Sequence, residues 1–262
     1  MMLQRLTRWT AVLAIALGTS APALADRFEE VLKSGVIRIG IPADLPPFGY
    51  QNAKREQEGF DIDLANMVGK ALGLKVELVP LTGANRIPYL LTDKVDITVS
   101  LMGLTPERAK QVMFSAPYAS TSLAVFGPKN LAVKSAADLK AYKVAAAKGN
   151  TEETALTEMN PQASIMRMEN DAAAAAAYLS GQAQLFACSS FVAVELAKKN
   201  ANKEFDLKFI IRPSPGHMAV KMGEHNMLQW LNSFIFFNKI NGELDKLHVK
   251  WLGRPMDPLL TL

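Results

Sequence analysis

Short apolar runs alternate with longer amphipathic ones along most of this chain. Residues 36–41 read as a strand that follows the turn Lys33-Ser34-Gly35. In residues 60–72, Ile62, Leu64, Ala65, Val68 and Leu72 fall on one face at helical spacing, and Gly73 supplies a stop. A strand at 75–79, a short helix at 86–91 and a strand at 95–99 come next. A strand at 123–126 closes at Gly127-Pro128, and the alternation then starts again: a short helix at 135–139, a strand at 143–147, a turn at Lys148-Gly149-Asn150, a helix at 151–159 and a strand at 164–168. Asn170 or Asp171 caps an alanine-rich helix ending at Leu179, followed by a strand at 184–187 and a helix at 191–199. Pro213, Ser214, Pro215 and Gly216 mark a second break before a strand at 217–221, and residues 226–251 read as helix interrupted at Asn241-Gly242.

Strands alternating with helices predict an α/β fold with mostly parallel sheets. Two such units joined by two extended passages, near 122–127 and 215–220, predict two lobes, a two-strand hinge and a ligand cleft between the lobes, faced by strand ends and helix starts. The expected boundaries are 26–125 for the first part of lobe 1, 126–218 for lobe 2 and 219–262 for the return to lobe 1.

One segment carries candidate chemistry. Residues 96–108 read as a buried strand that breaks at Ser100 and enters a helix capped by Thr105, with Pro106 at its first position. Ser100, the backbone at Gly103 and the guanidinium of Arg108 would converge at a helix N-terminus, where free N–H groups and a forked cation suit a carboxylate. An ordinary strand–turn–helix with Arg108 on a solvated face fits the same pattern.

Composition narrows the classes. Arg5 and Arg8, an apolar run from Ala11 to Leu17, and Ala23-Leu24-Ala25 follow the order of a secretory signal, with cleavage expected after Ala25. That run is too short to span a membrane. The formal net charge of +4 includes the two signal arginines, and the remaining basic residues are dispersed, so nucleic acid is not an expected partner. Cys188 is the single cysteine and lies in an apolar run, which excludes an internal disulfide and suits a buried small residue. His217, His225 and His248 lack metal-ligand spacing, so no metal is expected, and no cofactor. No serine is paired with a histidine, and no carboxylate pair is set for acid–base work, so no catalytic set is expected.

Several motifs, in order, resemble the periplasmic solute-binding proteins of polar amino acid ABC transporters (bacterial extracellular family 3): Ile37-Arg38-Ile39-Gly40 leading to Pro46-Pro47-Phe48; Gly59-Phe60-Asp61-Ile62-Asp63-Leu64-Ala65; Thr105-Pro106-Glu107-Arg108 through Phe114-Ser115-Ala116-Pro117-Tyr118; and Asn241-Gly242 followed by Lys250-Trp251. The resemblance covers essentially the whole chain after residue 25. It implies a two-lobed periplasmic-binding-protein fold, a monomer that closes over an amino acid in the periplasm, and an inner-membrane ABC permease as partner. It also implies that Arg108 pairs with the ligand α-carboxylate, that Ser100 and Gly103 flank the ligand from the first lobe, and that the Gly149-Asn150-Thr151 loop adds donors from the second.

The chain departs from the family pattern in ways that bear on the ligand. Where that pattern carries an aspartate for the ligand ammonium, this chain has Ser189, and Gln184 replaces an earlier acid. Either another acid substitutes or the ligand lacks a free α-ammonium, because an ammonium closed into a cleft without a carboxylate loses a few kcal/mol of compensation. Asp44 is one candidate, and a solvated turn is its other role. Leu45 sits where many members carry a covering aromatic, which leaves Phe48 or Tyr50 for that role, with core packing the alternative for Phe48. Asn85-Arg86-Ile87-Pro88 resembles the segment of acidic amino acid binders whose arginine reaches a side-chain carboxylate; an exposed Arg86 is the alternative. Two arginines and a missing ammonium acceptor favour an acidic ligand. His217 reads as a packing substitution. The runner-up function is a periplasmic dehydratase of arogenate or prephenate on the same fold, with Glu152 or Glu153 as proton donor, and a subunit of a membrane sensor is a third class.

Overall fold

The computed structural model describes residues 27–258, so the expected signal at 1–25 lies outside the described residues. The first run of elements is α1 (Arg27–Ser34), β1 (Val36–Pro42), β2 (Tyr50–Gln51), β3 (Gln57–Glu58), α2 (Phe60–Leu72), β4 (Lys75–Leu81), α3 (Arg86–Leu91), β5 (Ile97–Met102), α4 (Pro106–Ala109) and β6 (Val112–Ala119). The second is β7 (Ser122–Gly127), β8 (Lys143–Ala147), α5 (Thr151–Met159), β9 (Ser164–Met168), α6 (Asp171–Leu179), β10 (Leu185–Ser189), α7 (Ser190–Lys199) and β11 (Asp206–Pro213). The chain then returns through β12 (Gly216–Lys221), α8 (His225–Ile240) and α9 (Glu243–Leu252).

Two five-stranded sheets organise these elements, in the orders β4-β1-β5-β12-β6 and β11-β7-β10-β8-β9. In the first, β1 runs parallel to β4 and β5, whereas β12 returns antiparallel between β5 and β6. In the second, β8 is parallel to β9 and β10, while β7 lies antiparallel to β10 and β11. Each sheet is thus parallel where crossover helices build it and antiparallel where the chain enters or leaves, as an α/β fold with exchanged hinge strands requires. The fold is two-lobed.

The chain passes between the sheets at residues 119–122 and 213–216, a few positions ahead of the boundaries expected at 125/126 and 218/219. The turn residues Gly127 and Pro128 end β7; the crossing itself is extended backbone, which turn chemistry does not mark. Among the longer strands, β6 and β11 have no counterpart among the expected ones: both lie at sheet edges, β6 contains Pro117, and the burial of β11 alternates irregularly. β5 runs through Ser100 to Met102 instead of breaking there, and the helix after Thr105 is a single turn.

Helices cover both faces of both sheets. α2 turns Ile62, Leu64, Ala65 and Val68 inward, and the alanines of α6 (Ala174, Ala175, Ala177) let that helix lie close on the second sheet. Phe60 is fully buried, stacked on Tyr118 at 6.0 Å between ring centroids. Cys188 is buried within β10. Among the described residues no helix is long and apolar enough to cross a membrane.

Candidate functional site

A small cavity opens between the lobes. Arg86, Asn150, Thr151, Glu152, Ser189, Thr121 and Ser214 supply its polar wall, and Leu45, Leu101 and Leu123 its apolar one. Both sheets aim strand ends and helix starts at this place, and the two hinge passages contribute Thr121 and Ser214.

Arg86 opens α3 just past the turn Gly83–Asn85, and it is only 4% exposed. Its Nε donates to Ser100 Oγ at 3.1 Å and its Nη1 to Asn150 Oδ1 at 3.0 Å. Ser100 is therefore a buried support behind the guanidinium and does not line the cavity. Asn150 precedes α5 in extended geometry, yet its side chain does not cap that helix. Its Nδ2 donates instead to Glu152 Oε1 at 3.2 Å and to Asp171 Oδ1 at 2.7 Å. One amide therefore separates a cationic side of the cleft from an acidic one.

Arg108 behaves differently from the expectation. Thr105 does cap α4, accepting from Arg108 N at 3.2 Å, but one turn of helix carries little macrodipole. The guanidinium does not meet Ser100; Nη1 turns back on the Gly103 carbonyl at 2.7 Å, and Nη2 crosses to the Gly149 carbonyl at 2.7 Å. A weaker contact reaches Thr151 Oγ1 at 3.3 Å. Burial, the charge on Arg86 and the charge on Arg212 together push Arg108 down to about 10, with Glu152 opposing. Among the described residues no carboxylate lies within 4.0 Å of Arg86 or Arg108.

The lobes approach without spare room. A Cβ on Gly103 would sit 2.7 Å from both Ser214 Oγ and Thr151 Oγ1, and one on Gly83 would sit 2.1 Å from Asn150 Oδ1. Leu101 holds φ 39°, a left-handed conformation unusual for leucine, and its N–H donates to Tyr118 Oη at 2.8 Å.

On the acidic side, burial raises Glu152, and burial together with the charge of Glu152 pushes Asp171 up to about 8. Ser189 Oγ lies 2.8 Å from Thr121 Oγ1 as a hydroxyl pair. Asp44 does not enter the cavity wall: its Oδ2 accepts from Ala172 N, at the start of α6 in the other lobe, at 3.0 Å. Phe48 does not cover the cavity either. It is fully buried, edge-on to Phe60 at 5.8 Å and to Phe191 at 6.4 Å, and Leu45 lines the cleft in its stead. Glu153 turns away to Arg167, 2.7 Å from its Nε. His217 is buried, with Nδ1 2.8 Å from the Ser115 carbonyl and its ring edge-on to Phe114.

Thr121, Ser214, Leu101 and Asp171 are site residues that the sequence reading passed over. The available signal was a cluster of hydroxyl residues at both hinge passages, Ser120-Thr121-Ser122 and Ser214. Among the described residues no three His, Cys, Asp or Glu side chains are grouped to hold a metal.

This architecture has a counterpart in known families, and the profile of the bacterial extracellular solute-binding proteins, family 3, matches residues 37–254. The chain belongs to that family. It is 32% identical over 232 residues to the ABC transporter glutamine-binding protein GlnH of Bacillus subtilis (strain 168), across 87% of this chain and 85% of that protein. It is 26% identical over 271 residues to the glutamate/aspartate import solute-binding protein of Escherichia coli (strain K12), across 95% and 89% of the two chains. Among solved structures, the ancestral amino acid-binding protein AncCDT-1, a precursor of cyclohexadienyl dehydratase, matches with a TM-score of 0.79 at 37% identity, over 86% of this chain and 99% of that one. Family members are extracellular or periplasmic solute-binding proteins, and the curated relatives include amino acid-binding components of ABC transporters.

Proposed function

We propose that this family 3 protein is the periplasmic binding component of an ABC transporter, that it closes as a monomer over an acidic α-amino acid, and that it hands this ligand to an inner-membrane permease, residues 1–25 being removed on export. The observation that carries the reading is a pair of guanidiniums, Arg86 buried in the cavity wall and Arg108 half-buried outside that wall, with no carboxylate within 4.0 Å of either among the described residues. The charge on Arg86 lowers Arg108, and an anion bound at Arg86 relieves that repulsion.

The cavity is also polar in a definite sense: burial raises Asp171 to about 8 and raises Glu152, and Glu152 shares the cavity wall with Arg86. A ligand with two carboxylates and one ammonium suits a cavity with Arg86 and Glu152 in one wall, whereas a basic amino acid adds a cation beside Arg86. Asn150 Oδ1 and Thr151 Oγ1 of the second lobe accept from Arg86 and Arg108 and so orient the two guanidiniums, and Gly103 provides the close approach that seals the cleft.

The test is calorimetric titration and thermal unfolding of the purified, exported protein against L-glutamate, L-aspartate, L-glutamine and L-arginine. A ligand at a hundredfold over its dissociation constant stabilises by about 2.7 kcal/mol, roughly 5–10 °C in melting temperature for a chain of this size. The expected result is a shift with glutamate or aspartate that Arg86→Met abolishes. A shift confined to arginine would overturn the acidic reading. A dehydratase remains the second reading on one observation, a buried Glu152 of raised pKa in the cavity; the expected result with prephenate is no phenylpyruvate absorbance, and turnover lost in Glu152→Gln would reverse the order.

A further inference from the structure

Ser189 lines the cavity with a neutral hydroxyl, paired with Thr121 Oγ1 at 2.8 Å. Asp44, the other acid near the cleft mouth, is engaged by the backbone of α6 through Ala172 N. Glu152 is the one carboxylate in the described cavity wall, and it is 5% exposed. We propose that Glu152, oriented by Asn150 and backed by Asp171, receives the ammonium of the bound ligand, and that the protein thereby selects amino acids over the matching deaminated dicarboxylates.

Three features carry the assignment. First, the Asn150 side chain is oriented by both ends at once. Its carbonyl oxygen faces Arg86 Nη1 at 3.0 Å, so its two N–H groups must face the acids, at 3.2 Å from Glu152 and 2.7 Å from Asp171. The cleft therefore has a cationic end and an anionic end with a fixed polarity, which matches a zwitterion and not a simple dianion. Second, Arg86 lines the same cavity, 4% exposed and without an ion-pair partner among the described residues, so a ligand carboxylate has its own place and does not compete for Glu152. Third, an ammonium brings three N–H donors. The Thr121–Ser189 hydroxyl pair lies in the same wall as Glu152 and offers acceptors for those the carboxylate leaves over. Asp171, behind Asn150 and 7% exposed, acts as a positioning residue, holding the amide that holds Glu152.

The proposal rests on the amino acid reading above, and the experiment separates the two. The exported protein is titrated with L-glutamate and with glutarate and 2-oxoglutarate, which keep both carboxylates and lack the amine. The wild type is expected to bind glutamate at least a hundredfold more tightly than either. Glu152→Gln should weaken glutamate at least thirtyfold and change glutarate less than threefold. Glu152→Asp keeps the charge on a shorter arm; it should lose part of the glutamate affinity and covers the case in which the glutamine variant does not fold. Equal losses for glutamate and glutarate would assign Glu152 a structural role and overturn the proposal, as would a wild type that does not distinguish the two. If glutamate fails to bind but glutamine or arginine binds, the acidic reading falls. Glu152 is then tested on that amino acid against its deaminated analogue, and an unchanged affinity in Glu152→Gln overturns this inference as well.

Discussion

Arg86 and Arg108 look equivalent in the sequence, each an arginine near a helix start, yet their surroundings differ. Arg86 is held by two side chains, Ser100 and Asn150, whereas Arg108 is anchored on the carbonyls of Gly103 and Gly149. Arg108 is therefore a clasp, since its bond to the Gly149 carbonyl of the other lobe exists only when the lobes meet. Gly103 makes that meeting possible, because any β-carbon there falls 2.7 Å from Ser214 Oγ and Thr151 Oγ1. Gly103→Ala is therefore expected to lower ligand affinity about tenfold, on the order of 1.4 kcal/mol, while the melting temperature without ligand changes little. An unchanged affinity in titration would show that closure tolerates the methyl group. The types of these residues were readable from the chain; their partners were not, because Arg86–Asn150 and Arg108–Gly149 join positions 64 and 41 residues apart.

At the scale of elements, periodicity was legible where a face is buried and turn chemistry marks the ends. α2, with its stripe of Ile62, Leu64, Ala65 and Val68 and its stop at Gly73, was readable to the residue, and so were β8 and α5. β11 was not, because it lies at a sheet edge with irregular burial, and the end of β5 was not, because the strand continues past Ser100 into a strained Leu101. That strain has a visible support. Tyr118 Oη of β6 accepts from Leu101 N at 2.8 Å and donates to Asp61 Oδ1 of α2 at 2.8 Å, so three elements converge on one hydroxyl. Tyr118→Phe keeps the ring stacked on Phe60 but removes the acceptor of Leu101 N–H and the hydroxyl that donates to the buried Asp61. The expected cost is about 1–3 kcal/mol, read by denaturant unfolding, together with weaker ligand binding because Leu101 lines the cavity. Full stability in the variant would locate the support of Leu101 elsewhere.

At the scale of the whole molecule, burying acids within and between the lobes has a pH signature. Burial pushes Asp61 up to about 7 and Asp171 up to about 8, against an ordinary value near 4 for the unfolded chain. The folded state therefore holds protons that the unfolded state has released, and their contribution, complete below pH 4, is lost as pH rises through 7 and 8. His217 and His248 are lowered by burial and act at pH 6.5 and below, with the opposite sign. Between pH 6.5 and 8.5 the melting temperature of the protein without ligand should fall, and Asp61→Asn and Asp171→Asn should each flatten the slope. A flat wild-type profile in that window would contradict the raised values. What the sequence by itself determined was the strands and helices whose buried face and turn residues mark them, and from their alternation and the family motifs the α/β class and the two-lobed organisation. What only the tertiary structure decided was the pairing across the cleft, in which Arg86 meets Asn150, Asp44 meets Ala172 and Phe48 packs on Phe191 away from the cavity. The physical reason is that periodicity and turn chemistry act between near neighbours, whereas charge balance in a cleft depends on groups brought together by closure.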